Sequence, residues 1–172
     1  MNDSVVISLN GLRPSESFFS FHLGKEFFAK FENEDILDAD LRLEIVVDKQ
    51  PGHVDFDCRI KGTLTVPCDR CLSPVEMDVE TSGLFRLRMD ASRSTVEEPY
   101  EEVFLPDGKD ELNLNQEIYD YSLLALPLQR FHDEGECDSA ALDYLSSSDA
   151  PAAPSTDAPF SDLAMLLNDN LK

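Results

Sequence analysis

The sequence has 172 residues, the length of one domain, and its 35 Asp and Glu residues against 14 Lys and Arg residues give a formal net charge of −21. This sign excludes broad phosphate binding, because non-specific affinity for nucleic acid comes from neutralising phosphates with basic side chains. It also argues against adsorption to an anionic membrane surface.

The acidic residues are concentrated in the second half of the chain. Residues 1–89 contain 16 acidic and 10 basic side chains, whereas residues 90–172 contain 19 acidic and 4 basic ones. No apolar run reaches transmembrane length and no secretory signal is visible, so we predict a cytoplasmic protein without membrane contact. In that compartment the four cysteines are thiols or metal ligands rather than structural disulfides.

Alternation of apolar and polar residues predicts the first strands. Short alternating segments lie at residues 5–9, 19–23 and 41–47, and a brief helix or turn is expected at residues 25–31. These segments are typical of a half-buried sheet, with one apolar and one polar face.

The clearest pattern predicts a long antiparallel hairpin. Apolar residues occupy even positions from 54 to 66 and odd positions from 75 to 89, on either side of a turn. If residue i faces residue 141 − i, both apolar sets lie on one face of the sheet. Residues of opposite charge then face each other on the other side: Lys61 with Glu80, and Asp55 with Arg86.

Helix signals dominate the second half, after a short strand candidate at residues 102–105. Asn113 and Gln116 resemble a capping box, and the helix that they predict ends before Pro127. A second short helix is expected after Asp138.

Together these elements predict one α+β domain over residues 1–145. Its curved, mainly antiparallel sheet is built on the hairpin of residues 54–66 and 75–89, and two or three short helices follow. Residues 146–159 contain only Ser, Thr, Asp, Ala and Pro and are predicted to be a flexible linker. Residues 160–172 are predicted to form a short amphipathic helix that binds its own domain or a partner through three apolar residues: Phe160, Leu163 and Leu166.

The hairpin turn contains a CxxC motif, Cys68 and Cys71. At a tight turn two thiolates can converge on one ion, as in zinc knuckles, and the candidates for the remaining ligands are Cys137 and His132. Zinc is therefore a candidate cofactor. A redox pair is disfavoured because its usual context is a βαβ unit, and a turn that merely retains two thiols stays open as an alternative. Cys58 lies on the apolar face of a strand and is predicted to be a core residue.

No motif in the sequence assembles a catalytic site. The three histidines lie far apart without a nucleophile motif, and the seven glycines are too scattered to cradle a nucleotide. We therefore predict that the protein is not an enzyme. For a local RNA contact, the best candidate is Arg70 at the exposed tip of the hairpin.

The CxxC motif is part of a longer ordered set of segments. VPCDRCLSPVEMDV follows a strand reading RIKGTLT, and after an acidic stretch come LNLNQEIYDYSLLALP, a segment containing Cys137, and an apolar C-terminal segment. Over residues 40–172 this set resembles the YceD-like family of bacterial and plastid proteins. Many members have further cysteines after the helix, whereas this chain has only Cys137 there, so three cysteines at most are available to a metal.

The YceD-like family is associated with accumulation of large-subunit ribosomal RNA, so the resemblance implies a non-enzymatic ribosome biogenesis factor. Because of the net charge, we expect it to bind a basic ribosomal protein or an RNA–protein intermediate rather than to coat RNA. The expected interface is the acidic region of residues 90–145 together with the C-terminal helix. The alternative function is that of a small zinc-binding module with a functional CxxC turn.

Overall fold

The computed structural model describes residues 4–12, 16–88, 99–105 and 108–147. In these ranges the chain is mostly strand, with a 3₁₀ turn at Leu9–Gly11 and three short helices. The elements in chain order are β1 (Val6–Ser8), β2 (Ser17–Gly24), α1 (Lys25–Ala29), β3 (Asp38–Gln50), β4 (His53–Pro67), β5 (Pro74–Arg88), β6 (Glu101–Val103), β7 (Glu111–Asn113), α2 (Asn115–Leu124) and α3 (Ser139–Ser147). Five strands form one mixed sheet in the order β2-β3-β4-β5-β6, and β1 pairs with β7.

The central hairpin of β4 and β5 has the predicted register. Each residue i of β4 faces residue 141 − i of β5 along the whole length of both strands. On the outer face, the Arg86 guanidinium donates hydrogen bonds of 2.6 and 2.8 Å to the two carboxylate oxygens of Asp55. Lys61 Nζ lies 3.3 Å from a carboxylate oxygen of Glu80. The prediction from apolar parity is therefore confirmed, since any odd shift would have exposed the apolar set.

β3 approaches β4 closely where Leu41 faces Gly62. Gly62 has a φ of +152°, and a Cβ added there would collide with the carbonyl oxygen of Asp40 and lie 2.9 Å from Leu41 Cα. Only glycine combines this backbone conformation with this approach. The register continues unbroken through Gly62 on both sides, so the three central strands form one continuous layer.

β6 departs from the antiparallel pattern. It runs parallel to β5 and pairs with residues 85–87, which makes the sheet mixed, and it ends at Val103 rather than at residue 105. β7 was not predicted at all, and it pairs antiparallel with β1. The sequence pattern assigned these residues to the start of the following helix instead, because Asn113 and Gln116 resemble a capping box.

The core lies on one face of the sheet, where the alternating apolar residues of β3, β4 and β5 are buried. α1 adds Phe27 and Phe28 to the same buried cluster, and α2 adds Ile118. The rings of Phe31 and Tyr119 stack with centroids 4.0 Å apart and thereby join the end of α1 to α2. Burial of each large apolar side chain contributes about 1.5–3 kcal/mol, so this cluster is the main source of stability.

The helices predicted at residues 25–31, after Asn113 and after Asp138 are present, and the second of them starts later than expected. Asn113 lies in β7, and its side-chain oxygen accepts the backbone N–H of Asn115 over 2.9 Å, so α2 begins at Asn115 with Leu114 in the N-cap position. α3 follows Asp138, whose carboxylate accepts the backbone N–H of Ala140 over 2.9 Å.

The predictions for the C-terminus lie outside the described residues. They comprise the linker beyond Ser147 and the helix of residues 160–172, with Phe160, Leu163 and Leu166. Within the described ranges, no helix has the length and apolar character needed to cross a membrane.

Candidate metal centre

The CxxC motif lies in the turn of residues 68–73, between β4 and β5. The backbone N–H of Cys68 donates to the Ser73 carbonyl and that of Leu72 to the Cys68 carbonyl, both over 2.9 Å. Leu72 adopts a φ of 62°, a left-handed conformation that closes the turn immediately after Cys71. The turn thereby brings the two thiol groups to the same side, within 4.8 Å of each other.

Asp69 and Arg130 hold the segment after α2 against this turn. The Asp69 N–H donates to the Arg130 carbonyl over 2.7 Å, and the Arg130 N–H donates to the Asp69 carboxylate over 2.7 Å. The Arg130 guanidinium adds a bond of 3.0 Å, and these backbone and side-chain bonds from Arg130 lower the pKa of Asp69. Next to them, the Arg70 guanidinium lies 3.9 Å from the centroid of the Phe131 ring. The contacts fix the position of the chain just before His132.

Four side chains converge at this junction: Cys68, Cys71, His132 and Cys137. Cys68 Sγ and Cys137 Sγ are 4.0 Å apart, and His132 Nδ1 is 3.6 Å from Cys71 Sγ and 4.0 Å from Cys137 Sγ. A tetrahedral zinc ion with Zn–S bonds of about 2.3 Å separates its sulfur ligands by about 3.8 Å. The four donor atoms, all within 4.8 Å of one another, are therefore close to the spacing that zinc requires.

The orientation of His132 suits metal binding. Its Nε2 lies 3.0 Å from the Pro74 carbonyl oxygen, which can only accept a hydrogen bond, so Nε2 carries the proton. In the neutral imidazole, the lone pair of Nδ1 then faces the thiols of Cys71 and Cys137. A backbone carbonyl that fixes the tautomer in this way is the usual support of a metal-binding histidine.

The charges in the cluster favour a thiolate on Cys68. Burial raises the pKa of this thiol, but hydrogen bonds from the backbone N–H groups of Cys71 and Arg70 and from His132 outweigh burial and lower the pKa to about 6. A hydrogen bond with Cys68 favours the protonated imidazole and raises the pKa of His132, so a metal at Nδ1 would compete with a proton there. Burial, followed by the hydrogen bonds with Cys68 and Cys71, raises the pKa of Cys137. Zinc binds thiolates, so a lowered pKa at Cys68 favours the form of the side chain that a metal ligand needs.

Cys58 does not belong to the cluster. It is completely buried among the apolar residues of β4, as predicted, and burial raises the pKa of its thiol to about 12. A neutral, buried thiol acts as a small hydrophobic side chain.

The structure thus brings together the four residues that the sequence nominated as metal ligands, two from the turn and two from the segment after α2. Arg70 lies at the exposed tip, as expected, but its guanidinium covers Phe131. The apolar C-terminal residues nominated for binding lie outside the described ranges.

The sequence did not reveal the contact between Asp69 and Arg130. The two residues are 61 positions apart and have no shared motif. Their opposite charges were the only available signal, and in a chain with 35 acidic residues one such pair does not stand out.

Comparison with protein-family models matches residues 56–167, more than half of the chain, to the family described as Large ribosomal RNA subunit accumulation protein YceD. The matched region contains the hairpin, the turn and all four residues of the cluster. Neither the search of curated proteins nor the search of solved structures gave a significant match.

Proposed function

This chain belongs to the YceD family, and from that membership we propose that it is a non-enzymatic ribosome biogenesis factor that promotes accumulation of large-subunit ribosomal RNA. We place this activity in the cytoplasm of a bacterial cell. The observation that carries the proposal is the match over residues 56–167, which agrees with the resemblance of the CxxC turn and the helix after it.

The proposed mode of action is binding of a basic ribosomal protein or an RNA–protein intermediate. A formal charge of −21 opposes extensive contact with RNA phosphates, whereas it attracts a cationic protein and speeds its association. The acidic region of residues 90–145 and the C-terminal helix predicted at residues 160–172 remain the candidate interface.

We also propose that the cluster of Cys68, Cys71, His132 and Cys137 holds one zinc ion. Three thiols and one imidazole make a complete set of four protein ligands, which is typical of structural zinc rather than of a catalytic site with an open position. When bound, the ion would join the hairpin turn to the segment after α2. Metal binding therefore accompanies the assembly function and stabilises the region that carries it.

Affinity purification of the full-length chain from cells at physiological salt, with bound proteins and RNA identified together, tests the mode of action. We expect ribosomal proteins to be recovered, to survive RNase treatment and to dissociate at high salt. Recovery of ribosomal RNA without any ribosomal protein would contradict protein binding. Loss of that RNA in Arg70→Glu, but not in the matched exposed variant Lys25→Glu, would instead assign direct RNA contact to the hairpin tip.

Metal analysis of the purified protein tests the zinc site. We expect close to one zinc per chain, strongly reduced in Cys137→Ser and unchanged in the control Cys58→Ala. A metal content that is negligible in the wild type, or equally reduced in both variants, would refute the assignment of these ligands.

A further inference from the structure

In the part of the chain that the structure describes, one side of β5 forms a long edge of the sheet to which no other strand pairs. β4 pairs with the whole of β5 on one side, but on the other side β6 pairs only with residues 85–87. Within the described ranges, no strand pairs with residues 75–83 on that side, and no backbone hydrogen bond from outside the sheet reaches them. α2 contacts β5 from the core face, where Tyr121 packs against Gly83.

The two prolines at the end of the hairpin show which backbone groups face this edge. Pro67 and Pro74 are opposite each other, and neither has an N–H, so they form a pair without mutual hydrogen bonds. In an antiparallel ladder, residues of such pairs direct N–H and C=O away from the partner strand, and this arrangement recurs at every second position. The Pro74 carbonyl does point outward, because it accepts a hydrogen bond from His132. The free N–H and C=O groups of β5 therefore belong to the even positions from 76 to 82.

The side chains at three of these positions are acidic and exposed: Glu76, Asp78 and Glu80. Glu80 has a basic neighbour, since Lys61 faces it at 3.3 Å. Glu76 and Asp78 face threonines of β4 instead, and among the described residues no basic group lies within 4 Å of either carboxylate. The edge thus combines unpaired backbone groups with uncompensated negative charge at a spacing of two residues.

We propose that an extended Lys- and Arg-rich segment of a protein partner adds to the sheet as a further strand along this edge of β5. The inference rests on the proposed binding of a basic ribosomal protein and names the surface and the geometry of that contact. An added strand would satisfy the free N–H and C=O groups, and its basic side chains would lie beside the acidic ones at the same two-residue period.

Charge selects this occupant over a second copy of the chain. Two acidic edges repel each other, and natural proteins use charged edge residues in this way to prevent self-association. The opposite edge of the sheet, β2, exposes Phe18, Ser20 and His22 at its outer positions and contains no acidic residue. Of these two edges in the described part of the chain, the β5 edge is the one whose charge suits a basic partner.

Hydrogen exchange measured by NMR on the full chain tests the proposal directly. The probe is a short synthetic peptide in which lysine alternates with threonine. In the free protein, the amides of Glu76, Asp78 and Glu80 should exchange fast, and addition of the peptide should protect them. A version of the peptide methylated at every second backbone nitrogen, which cannot pair with a strand edge, should give no protection.

Two variants separate the contributions of charge and backbone. Glu76→Lys combined with Asp78→Lys should weaken peptide binding about tenfold at low salt, whereas the control Glu16→Lys, at the other end of the sheet, should change it less than about twofold. Asp78→Pro should bind more weakly than Asp78→Ala, because it also removes an edge N–H. Proline is tolerated where the N–H of an edge strand faces solvent, and circular dichroism checks that both variants fold.

Three results would overturn the proposal: protection of these amides already in the free chain, protection that appears on β2 instead, or equal binding of the methylated peptide. Affinity purification separates this failure from failure of the proposed function. If ribosomal proteins are still recovered while the edge amides stay unprotected, the function stands and the edge assignment is wrong. If the edge binds the peptide but no ribosomal protein is recovered, the edge assignment stands and the proposed function is wrong.

Discussion

Replacement of Gly62 by alanine probes the close approach of β3 and β4. The added Cβ would collide with the carbonyl oxygen of Asp40 and would lie 2.9 Å from Leu41 Cα and 3.0 Å from the Asp40 carbonyl carbon. All of these atoms belong to the backbone of β3, which is itself paired on both sides. They cannot move aside as the end of a flexible side chain would.

The expected cost has two parts. A residue other than glycine at a φ of +152° is strained by about 1–3 kcal/mol. Relief of the collision requires β3 and β4 to separate locally, and each ladder hydrogen bond that weakens costs about 1 kcal/mol. Alanine also lowers the conformational entropy of the unfolded chain, which offsets only about 0.4–1 kcal/mol of this loss of stability. We therefore expect Gly62→Ala to lower the free energy of unfolding by about 3 kcal/mol.

Urea titration followed by far-UV circular dichroism measures this loss, and Gly52→Ala is the matched control. Gly52 also has a positive φ, +97°, but a Cβ added there would meet nothing within 4 Å. The control carries the conformational strain alone, about 1 kcal/mol. Equal losses in the two variants would refute the argument, because they would show that the approach of β3 adds nothing to the need for glycine at position 62.

Three further predictions concern side chains. In the chelator-treated, folded protein, a thiol reagent should modify the cysteines of the cluster before Cys58, because burial raises the pKa of Cys58 to about 12. Mass spectrometry with and without urea detects the labels, and rapid labelling of Cys58 in the folded protein would contradict this. Asp55→Asn should lower the free energy of unfolding by about 2 kcal/mol, because the ion pair of Asp55 with Arg86 is largely buried. Lys61→Ala, which breaks an exposed ion pair, should lower it by less than about 0.5 kcal/mol. The opposite ranking in urea titrations would contradict this reasoning. Burial and then the hydrogen bond with Glu101 raise the pKa of Tyr121 from 10.0 to about 12. The stability that this shift contributes is therefore complete at neutral pH and is lost as the pH rises from 10.0 to about 12. Tyr121→Phe should make the free energy of unfolding less dependent on pH in this alkaline range, and an unchanged dependence would contradict the assignment to Tyr121.

The hairpin was predictable because its information is local. Parity on each strand fixes which face is buried, and the turn between them fixes the pairing, so the register of Asp55 with Arg86 follows from the sequence alone. The capping signal near Asn113 correctly predicts that a helix starts there, but it puts the start one residue too early. Asn113 is held in β7 by its pairing with Val6, and no local pattern reports that contact.

The candidate metal centre was predictable only in part. The spacing of Cys68 and Cys71 predicts that their thiols converge, because a tight turn brings side chains three positions apart to the same side. Cys137 and His132 could be nominated by residue type, but their arrival at the turn depends on where α2 places the following segment. That placement comes from the contacts of Asp69 with Arg130, which join residues 61 positions apart and leave no periodic trace.

The order of the strands has a consequence for the sequence of events during synthesis. From β2 to β5, spatial order follows chain order, so each strand meets its neighbour as soon as it leaves the ribosome. Contacts between sequence neighbours form fastest, and the sheet can build up progressively from the N-terminal side. The contact between Cys68 and Cys137 spans 69 positions, so it can close only when strands β2 to β5 have already been synthesised. Cys137 is the last of the four candidate ligands to be synthesised, so a nascent chain that ended before it would have the hairpin but only three of the four side chains of the cluster.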